Sequence, residues 1–210
     1  MPLSKRILDI GLALIMSVLL TPLFLWLVFS IYRHQGRPIF YVSERMKSPT
    51  APFCLWKFRT MSNVSSSENT GVAGGDKQSR ITPYGAFLRK YRLDEIPQLW
   101  NILKGDMSFV GPRPELPDYV LDNPALFSRV LQSRPGITGL ATILYHRQEE
   151  TVLAKCNTPE ETDAAYVRIC LPRKAKLDII YQQNWSFCFD LKLIFGSVGK
   201  LVDRGLRKKR

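Results

Sequence analysis

Residues 10–32 read IGLALIMSVLLTPLFLWLVFSIY, an uncharged and strongly apolar run of 23 residues on which the reading of the whole fold turns. As a continuous helix it would reach ~34 Å at ~1.5 Å per residue, enough for the hydrocarbon core of a bilayer. It is too long for the core of a cleaved signal peptide, and no clear small-x-small cleavage site follows it. Two features set it apart from a simple span. Thr21-Pro22 falls in its middle, where proline removes a helix hydrogen bond and crowds the preceding turn. Basic residues flank both ends, Lys5 and Arg6 before it, Arg33 and Arg37 after it, whereas a true span carries its positive charge mainly on one side. A helix that enters, bends at Pro22 and returns to the cytoplasmic face satisfies that rule; a kinked span stays open on the residues alone. Asp9 stands four residues after Lys5, a helical spacing at which the two neutralise each other at the interface.

Outside this run the chain reads as one ordinary domain. Its 210 residues are 45% apolar, which excludes a wholly disordered chain. Lys and Arg number 30 against 18 acids, a formal charge of +12. That excess suits nucleic acid, anionic lipid or a phosphate-rich substrate, or a merely solvated basic surface, and composition does not choose between them. Cys54, Cys156, Cys170 and Cys188 are scattered and form no C-x-x-C pair, and His34 and His146 stand far apart. This is neither a zinc site nor a disulfide framework; free thiols in a reducing cytoplasm are expected.

Residues 39–42 and 53–58 carry the β-branched and aromatic residues of short strands. Residues 62–80 turn to Ser, Asn, Gly and charge, the composition of a mobile loop. A helix is expected to begin near Asp94, with Pro97 in its first turn, Ile96, Leu99, Trp100 and Leu103 along one face, and Gly105 at its stop. Thr158-Pro159-Glu160-Glu161 has the form of a capping box opening a helix that runs to Leu171 and breaks at Pro172, and another covers residues 174–183. The aromatic stretch from Trp185 to Phe195 suits a membrane interface or a core segment equally, and the basic tail at 204–210 suits anionic headgroups.

The chemistry concentrates in residues 93–114, LDEIPQLWNILKGDMSFVGPRP. Adjacent Asp94 and Glu95 at a helix start can be caps and nothing more. Their surroundings argue for a site. Arg89 and Arg92 precede them, Arg113 sits between Pro112 and Pro114, and Lys57, Arg59 and Arg147 are further cationic candidates. Guanidinium forks match phosphate oxygens, and carboxylates facing phosphate imply a divalent cation, for which magnesium fits hard oxygen ligands. The residues by themselves lead to a metal-assisted phosphoryl transferase near a membrane.

In order along the chain stand Lys5-Arg6-x-x-Asp9, Thr21-Pro22, Lys57-Phe58-Arg59-Thr60-Met61, the 93–114 block, Arg134-Pro135-Gly136-Ile137-Thr138-Gly139 and Asp178-x-x-Tyr181. Each is weak alone; together, over about 170 residues, they resemble the bacterial sugar transferases, monotopic phosphoglycosyl transferases that start glycoconjugate assembly. The resemblance implies a mixed α/β, mostly helical fold with short strands. A re-entrant membrane helix over 1–36 would carry a cytoplasm-facing catalytic domain over 37–203, with interfacial amphipathic helices and the basic tail at 204–210. It implies a ping-pong reaction at the bacterial inner membrane between a UDP-sugar and polyprenyl (undecaprenyl) phosphate. Asp94 would be the nucleophile, Glu95 its partner in positioning, metal or proton handling, and both would hold Mg2+. Lys57, Arg59, Arg89, Arg113, Arg147, Asp178 and Tyr181 would bind substrate or phosphate. Anionic lipids and downstream glycosyltransferases are the implied partners, and nucleic acid is not among them.

The chain departs from the family pattern after Gly139. Many members continue Trp-Ala-Gln-Val-Asn-Gly-Arg, where residues 140–147 here read LATILYHR; an arginine, Arg147, still closes the stretch, but the residues around it differ and sugar preference stays open. A membrane-anchored basic scaffold explains the anchor and the charge but not the carboxylate pair beside Pro112-Arg113-Pro114. A glycosidase needs two carboxylates ~5–9 Å apart across a scissile bond, which adjacent residues on one turn do not supply.

Overall fold

A computed structural model describes residues 2–62 and 79–207, the side chains of 198 and 200–207 aside. The loop expected at 62–80 lies outside the described residues at 63–78; its stems meet where Met61 bridges Ile81 and the Ser62 amide donates to the Arg80 carbonyl at 2.9 Å. The architecture is mixed α/β and mostly helical, with short strands and one long apolar N-terminal helix.

That helix, α1 (Leu3–Gln35), is about 50 Å long and continues through Pro22. The break expected at Thr21-Pro22 is therefore not a break in the helix; the Thr21 hydroxyl donates to the Ser17 carbonyl at 2.7 Å. One face of α1 packs along the domain from end to end. Near its start, Lys5 donates to Asp190 at 2.5 Å and to the Tyr181 hydroxyl at 3.1 Å, and Arg6 reaches the Ile102 and Leu103 carbonyls at 2.6 and 2.8 Å. Asp9 accepts from the Ser108 hydroxyl and the Phe109 amide, both at 3.1 Å. The expected Lys5–Asp9 pair is thus replaced by two long-range locks, because burial demands a close partner for each charge. Ala13 packs with Phe53, Leu55 and Ile102, and Leu27 and Ile31 with Phe58 and Leu88. The opposite face is bare apolar surface, with Val18 74% and Phe29 67% exposed.

Strands β1 (Phe40–Ser48) and β2 (Ala51–Phe58) form an antiparallel hairpin pairing Phe40 with Phe58 and Tyr41 with Lys57. A helix α2 (Pro83–Lys90) follows, capped by the Thr82 hydroxyl accepting from the Gly85 amide. Next comes a 3-10 turn at Leu93–Glu95 and then α3 (Gln98–Lys104). Asp94 and Glu95 thus precede the helix expected to start at them: Pro97 is its cap, and the tighter turn before it carries the two acids. Gly105 ends α3 in the left-handed region, at φ 93°. Asn101 ties α3 to the open edge of β2, accepting from the Trp56 amide at 3.2 Å and donating to the Cys54 carbonyl at 2.8 Å.

Two three-residue strands, β3 (Ser108–Val110) and β4 (Gly136–Thr138), pair in parallel. The backbones beyond them run so close that a Cβ on Gly111 would stand 2.1 Å from the Arg134 carbonyl oxygen, so glycine is required there.

Helices α4 (Pro117–Asp122), α5 (Pro124–Val130), α6 (Leu140–Leu153), α7 (Pro159–Ala165) and α8 (Leu171–Gln183) bury Tyr119, Phe127, Tyr145, Tyr166 and Leu171 among them. Pro172 does not end a helix as expected. A π-turn at Tyr166–Cys170 widens the ladder just before it, so the missing N–H of proline falls in the first turn of α8. The last helix, α9 (Phe187–Arg207), turns Asp190 and Leu193 inward and leaves Phe195 exposed. It is therefore amphipathic, joining the two readings left open for its aromatic stretch.

Inside the helical layer Lys174 is bonded to Glu115 at 2.8 Å, Glu149 at 3.2 Å and the Tyr166 hydroxyl at 2.6 Å. Asp178 lies near them, buried, with one oxygen lacking a partner. Burial pushes its carboxyl up to about 7 from 3.8, against the pull of Lys174. Between those values the folded state holds the proton that the unfolded chain has lost, so stability falls as pH rises through that window. Asp178→Asn should therefore raise stability by on the order of 2 kcal/mol at pH 8, with the gain vanishing near pH 4. Denaturant unfolding in detergent at both pH values checks it; an equal change at both contradicts it.

Candidate active site

Arg92 adopts the left-handed region, φ 54°, alone among the described non-glycine residues. Such a backbone persists only where its surroundings over-determine it. Here it turns the Arg92 guanidinium back onto Glu95, at 2.8 Å from Nη2 and 3.1 Å from Nε, while Nη2 also donates to the Ile137 carbonyl of β4 at 3.3 Å. Two more cations converge on the same carboxylate: Lys57 of β2 at 3.7 Å and Arg113 at 3.6 Å. Arg113 is presented by the chain leaving β3, where Gly111 passes against Arg134 and the Pro112 carbonyl accepts from the Gly136 amide at 2.8 Å. The backbone on either side of it is thus fixed by β4.

The two carboxylates are equally buried, each 8% exposed, yet they differ sharply. Burial by itself would raise Glu95, but the charges of Arg92, Lys57 and Arg113 and the hydrogen bond from Arg92 prevail and hold it at about 2. Asp94 has no hydrogen bond or ion pair among the described residues. Burial, and then the negative charge of Glu95, push it up against the pull of Lys57, Arg89 and Arg92. A pair of carboxylates driven apart in this way marks two different jobs. Burial pushes Lys57 down to about 8. Arg89 is aimed by its bond to the Thr60 hydroxyl at 2.8 Å. Lys57, Arg89, Arg92 and Arg113 thus give four positive charges against the two of Asp94 and Glu95, a surplus suited to a phosphate-bearing ligand.

Of the residues singled out in the sequence, Asp94, Glu95, Lys57, Arg89 and Arg113 come together here. Arg59 does not: its guanidinium donates to the Gln35 and Gly36 carbonyls and caps the end of α1. Asp178 belongs to the Lys174 network, and the Tyr181 hydroxyl is engaged by Lys5, Asp190 and the Val110 carbonyl. Arg147 is exposed on α6. Sequence reasoning named Arg92 as a cation before the carboxylates but not as the partner of Glu95, although its spacing of three was a usable signal. It left out Arg45 of β1, buried within reach of the charges of Arg113 and Glu115, to which no local pattern pointed.

Among the described residues no three His, Cys, Asp or Glu side chains converge. Asp94 and Glu95 form a two-carboxylate set with a cationic rim, the donor set of a magnesium site whose remaining ligands are substrate phosphates and water. The residues fit such an ion.

The sequence profile of the bacterial sugar transferase family matches residues 2–204. The chain is 33% identical over 205 residues to a protein of Bacillus subtilis named uncharacterized sugar transferase EpsL, covering 97% of this chain and 90% of that one. It is 34% identical over 204 residues to a UDP-glucose:undecaprenyl-phosphate glucose-1-phosphate transferase of Caulobacter vibrioides, with 95% and 70% covered. A protein of the same name from Klebsiella pneumoniae is 31% identical, but the match spans only 39% of its length. The family pattern and the carboxylate pair in its cationic rim agree: the chain belongs to the bacterial sugar transferases.

Proposed function

We propose that this enzyme transfers a sugar 1-phosphate from a UDP-sugar to polyprenyl phosphate, through a phosphosugar carried on Asp94. The observation that supports this most is the division of labour in the carboxylate pair. Glu95 is bound by three cations and is unfit to attack, whereas Asp94 is unclamped, is raised in basicity and faces a surplus of positive charge. In the first half-reaction an Asp94 carboxylate oxygen bonds to the β-phosphorus and the bond to the bridging oxygen breaks, so UMP leaves with that electron pair. In the second, a phosphate oxygen of the lipid attacks the same phosphorus and Asp94 departs, leaving a polyprenyl diphosphosugar. Splitting the displacement lets one site serve a soluble and a lipid substrate in turn. Arg113, Arg89 and Lys57 hold phosphate oxygens, and Glu95 with Arg92 keeps that rim in place. Asp94 and Glu95 are the carboxylates that would hold magnesium, which supplies charge neutralisation for phosphoryl transfer.

The membrane arrangement has its own support. Both ends of α1 are bonded to one domain, Lys5 to Asp190 and the Gln35 and Gly36 carbonyls to Arg59, while its outer face is bare hydrocarbon surface. A helix held in this way keeps both ends on one side of a bilayer. A monotopic, re-entrant placement on the cytoplasmic face of the bacterial inner membrane fits it, with the exposed Phe195 of α9 meeting lipid there; the basic side chains at 204–210, expected to suit anionic headgroups, lie outside the described residues. The lipid-linked product would pass to downstream glycosyltransferases at the same face.

A screen of UDP-sugars with undecaprenyl phosphate and magnesium, reading UMP, tests the reaction; no UMP from any of them would refute it. In that assay Arg113→Ala should lose about 2–4 kcal/mol of transition-state stabilisation and Arg113→Lys should recover only part of it. The ionised form of Asp94 is the reactive one, so UMP release should fall on acidification through a pKa above the ordinary carboxylate value. Glu95→Gln removes the neighbouring negative charge and frees three cations to act on Asp94, so the acid limb of the remaining rate should move to lower pH. A limb that stays or moves up would reject the assignment.

A further inference from the structure

Between the middle of α1, the hairpin and α3 lies an apolar groove of about 400 Å³. It lies along α1 between the buried contact at Ala13 and the contacts at Leu27 and Ile31. Leu20 and Phe24 of α1, Trp56 of β2, Ile96 and Pro97, and Trp100 of α3 line it. The hydroxyl of Thr21, on the α1 wall, is engaged by the Ser17 carbonyl. Trp100 stands 60% exposed at the rim, an aromatic surface that the fold itself does not cover.

The groove lies next to the charged cluster along the chain: Trp56 is followed by Lys57, and Glu95 by Ile96 and Pro97, so consecutive residues of two segments, ~3.8 Å apart along the backbone, belong to the one and to the other. A cationic cluster next to an apolar slot is the complement of a lipid phosphate and of the apolar chain behind it. A phosphate brought to Asp94 leaves its chain beside Ile96, where surface without hydrogen-bonding capacity is required.

We propose that this groove binds the first isoprene units of the polyprenyl phosphate acceptor, so that α1 serves as one wall of the lipid site as well as an anchor. The proposal rests on the transferase reading for the identity of the lipid. Aromatic walls at Phe24, Trp56 and Trp100 suit the flat, methyl-branched isoprene unit, and the groove meets the bilayer along the exposed face of α1. The ordering of the chain there supplies binding that a free phosphate lacks, and makes acceptor recognition dependent on chain as well as head.

The test uses the full chain in vesicles of phosphatidylethanolamine and phosphatidylglycerol, with a polyprenyl phosphate carrying a diazirine on an isoprene unit near the phosphate. Irradiation should label Leu20 or Phe24 on α1, read at residue level, together with residues in 96–103. Excess undecaprenyl phosphate should remove the labelling and excess phosphatidylglycerol should not. Leu20→Trp, which fills the groove from α1, should raise the KM for undecaprenyl phosphate at least tenfold while leaving UMP release in the absence of acceptor, and the KM for the UDP-sugar, unaltered. Trp100→Ala should weaken the same labelling without changing UMP release. Labelling confined to the outer face of α1, at Val18, Leu19 and Phe29, or equal competition by phosphatidylglycerol, would overturn the proposal. Labelling needs no turnover, so a wild-type protein that is labelled in the groove but releases no UMP would count against the transfer reaction and leave the lipid site standing.

Discussion

The buried carboxylate of Asp9, bonded to the Ser108 hydroxyl and the Phe109 amide, is the point at which the long apolar helix α1 and the site loop meet. One turn earlier, Lys5 is held by Asp190 and Tyr181, and Tyr181 in turn donates to the Val110 carbonyl. Two charges from the start of α1 are thus buried around the three residues of β3. Burying an ion pair forfeits hydration worth about as much as the attraction it gains, so the main consequence is positional: removing either partner leaves an uncompensated charge. A helix whose outer face is bare apolar surface has few other means of fixing its register on the domain.

From β3 the constraint passes to the chemistry in a closed ring. β3 pairs with β4, and the crossing at Gly111 sets the backbone from which Arg113 extends. Arg113 reaches Glu95, Glu95 is bonded to Arg92, and Arg92 returns to the Ile137 carbonyl of β4. Every member is placed by the next, which accounts for a left-handed arginine at the centre of the site. It also accounts for the asymmetry of the two acids. Three cations bind Glu95 and leave Asp94, one residue away, in the same cationic surroundings with no hydrogen bond or ion pair among the described residues.

Features set by local chemistry were legible in the sequence. The two strands, the glycine stop at Gly105, the Thr158 cap with its proline and the apolar helix all follow from residues within a turn or two of one another. The cationic rim was legible in part, because Arg89 and Arg113 stand near the carboxylates in sequence. What the sequence hid depends on distance or on backbone conformation. Lys5 was assigned to Asp9 on helical spacing, but its partner lies 185 residues away. Arg59 looked like a phosphate ligand by composition, yet the free carbonyls at the end of α1 claim it. Pro172 looked like a terminator, and a π-turn absorbs it. Arg45 joins the charged network through the pairing of the hairpin with the chain at Glu115, whose carbonyl accepts from the Met46 amide at 3.1 Å, a contact with no local signature.

Everything in this account converges on one atom pair, a carboxylate oxygen of Asp94 and a phosphorus atom of the donor. The most direct measurement is mass spectrometry of the protein after brief mixing with magnesium and a UDP-sugar that supports UMP release, without acceptor. The account predicts a phosphosugar on the peptide containing Asp94, lost again when polyprenyl phosphate is added and never formed by Asp94→Asn. A phosphosugar on a different residue, or full turnover by Asp94→Asn verified free of deamidation, would contradict it.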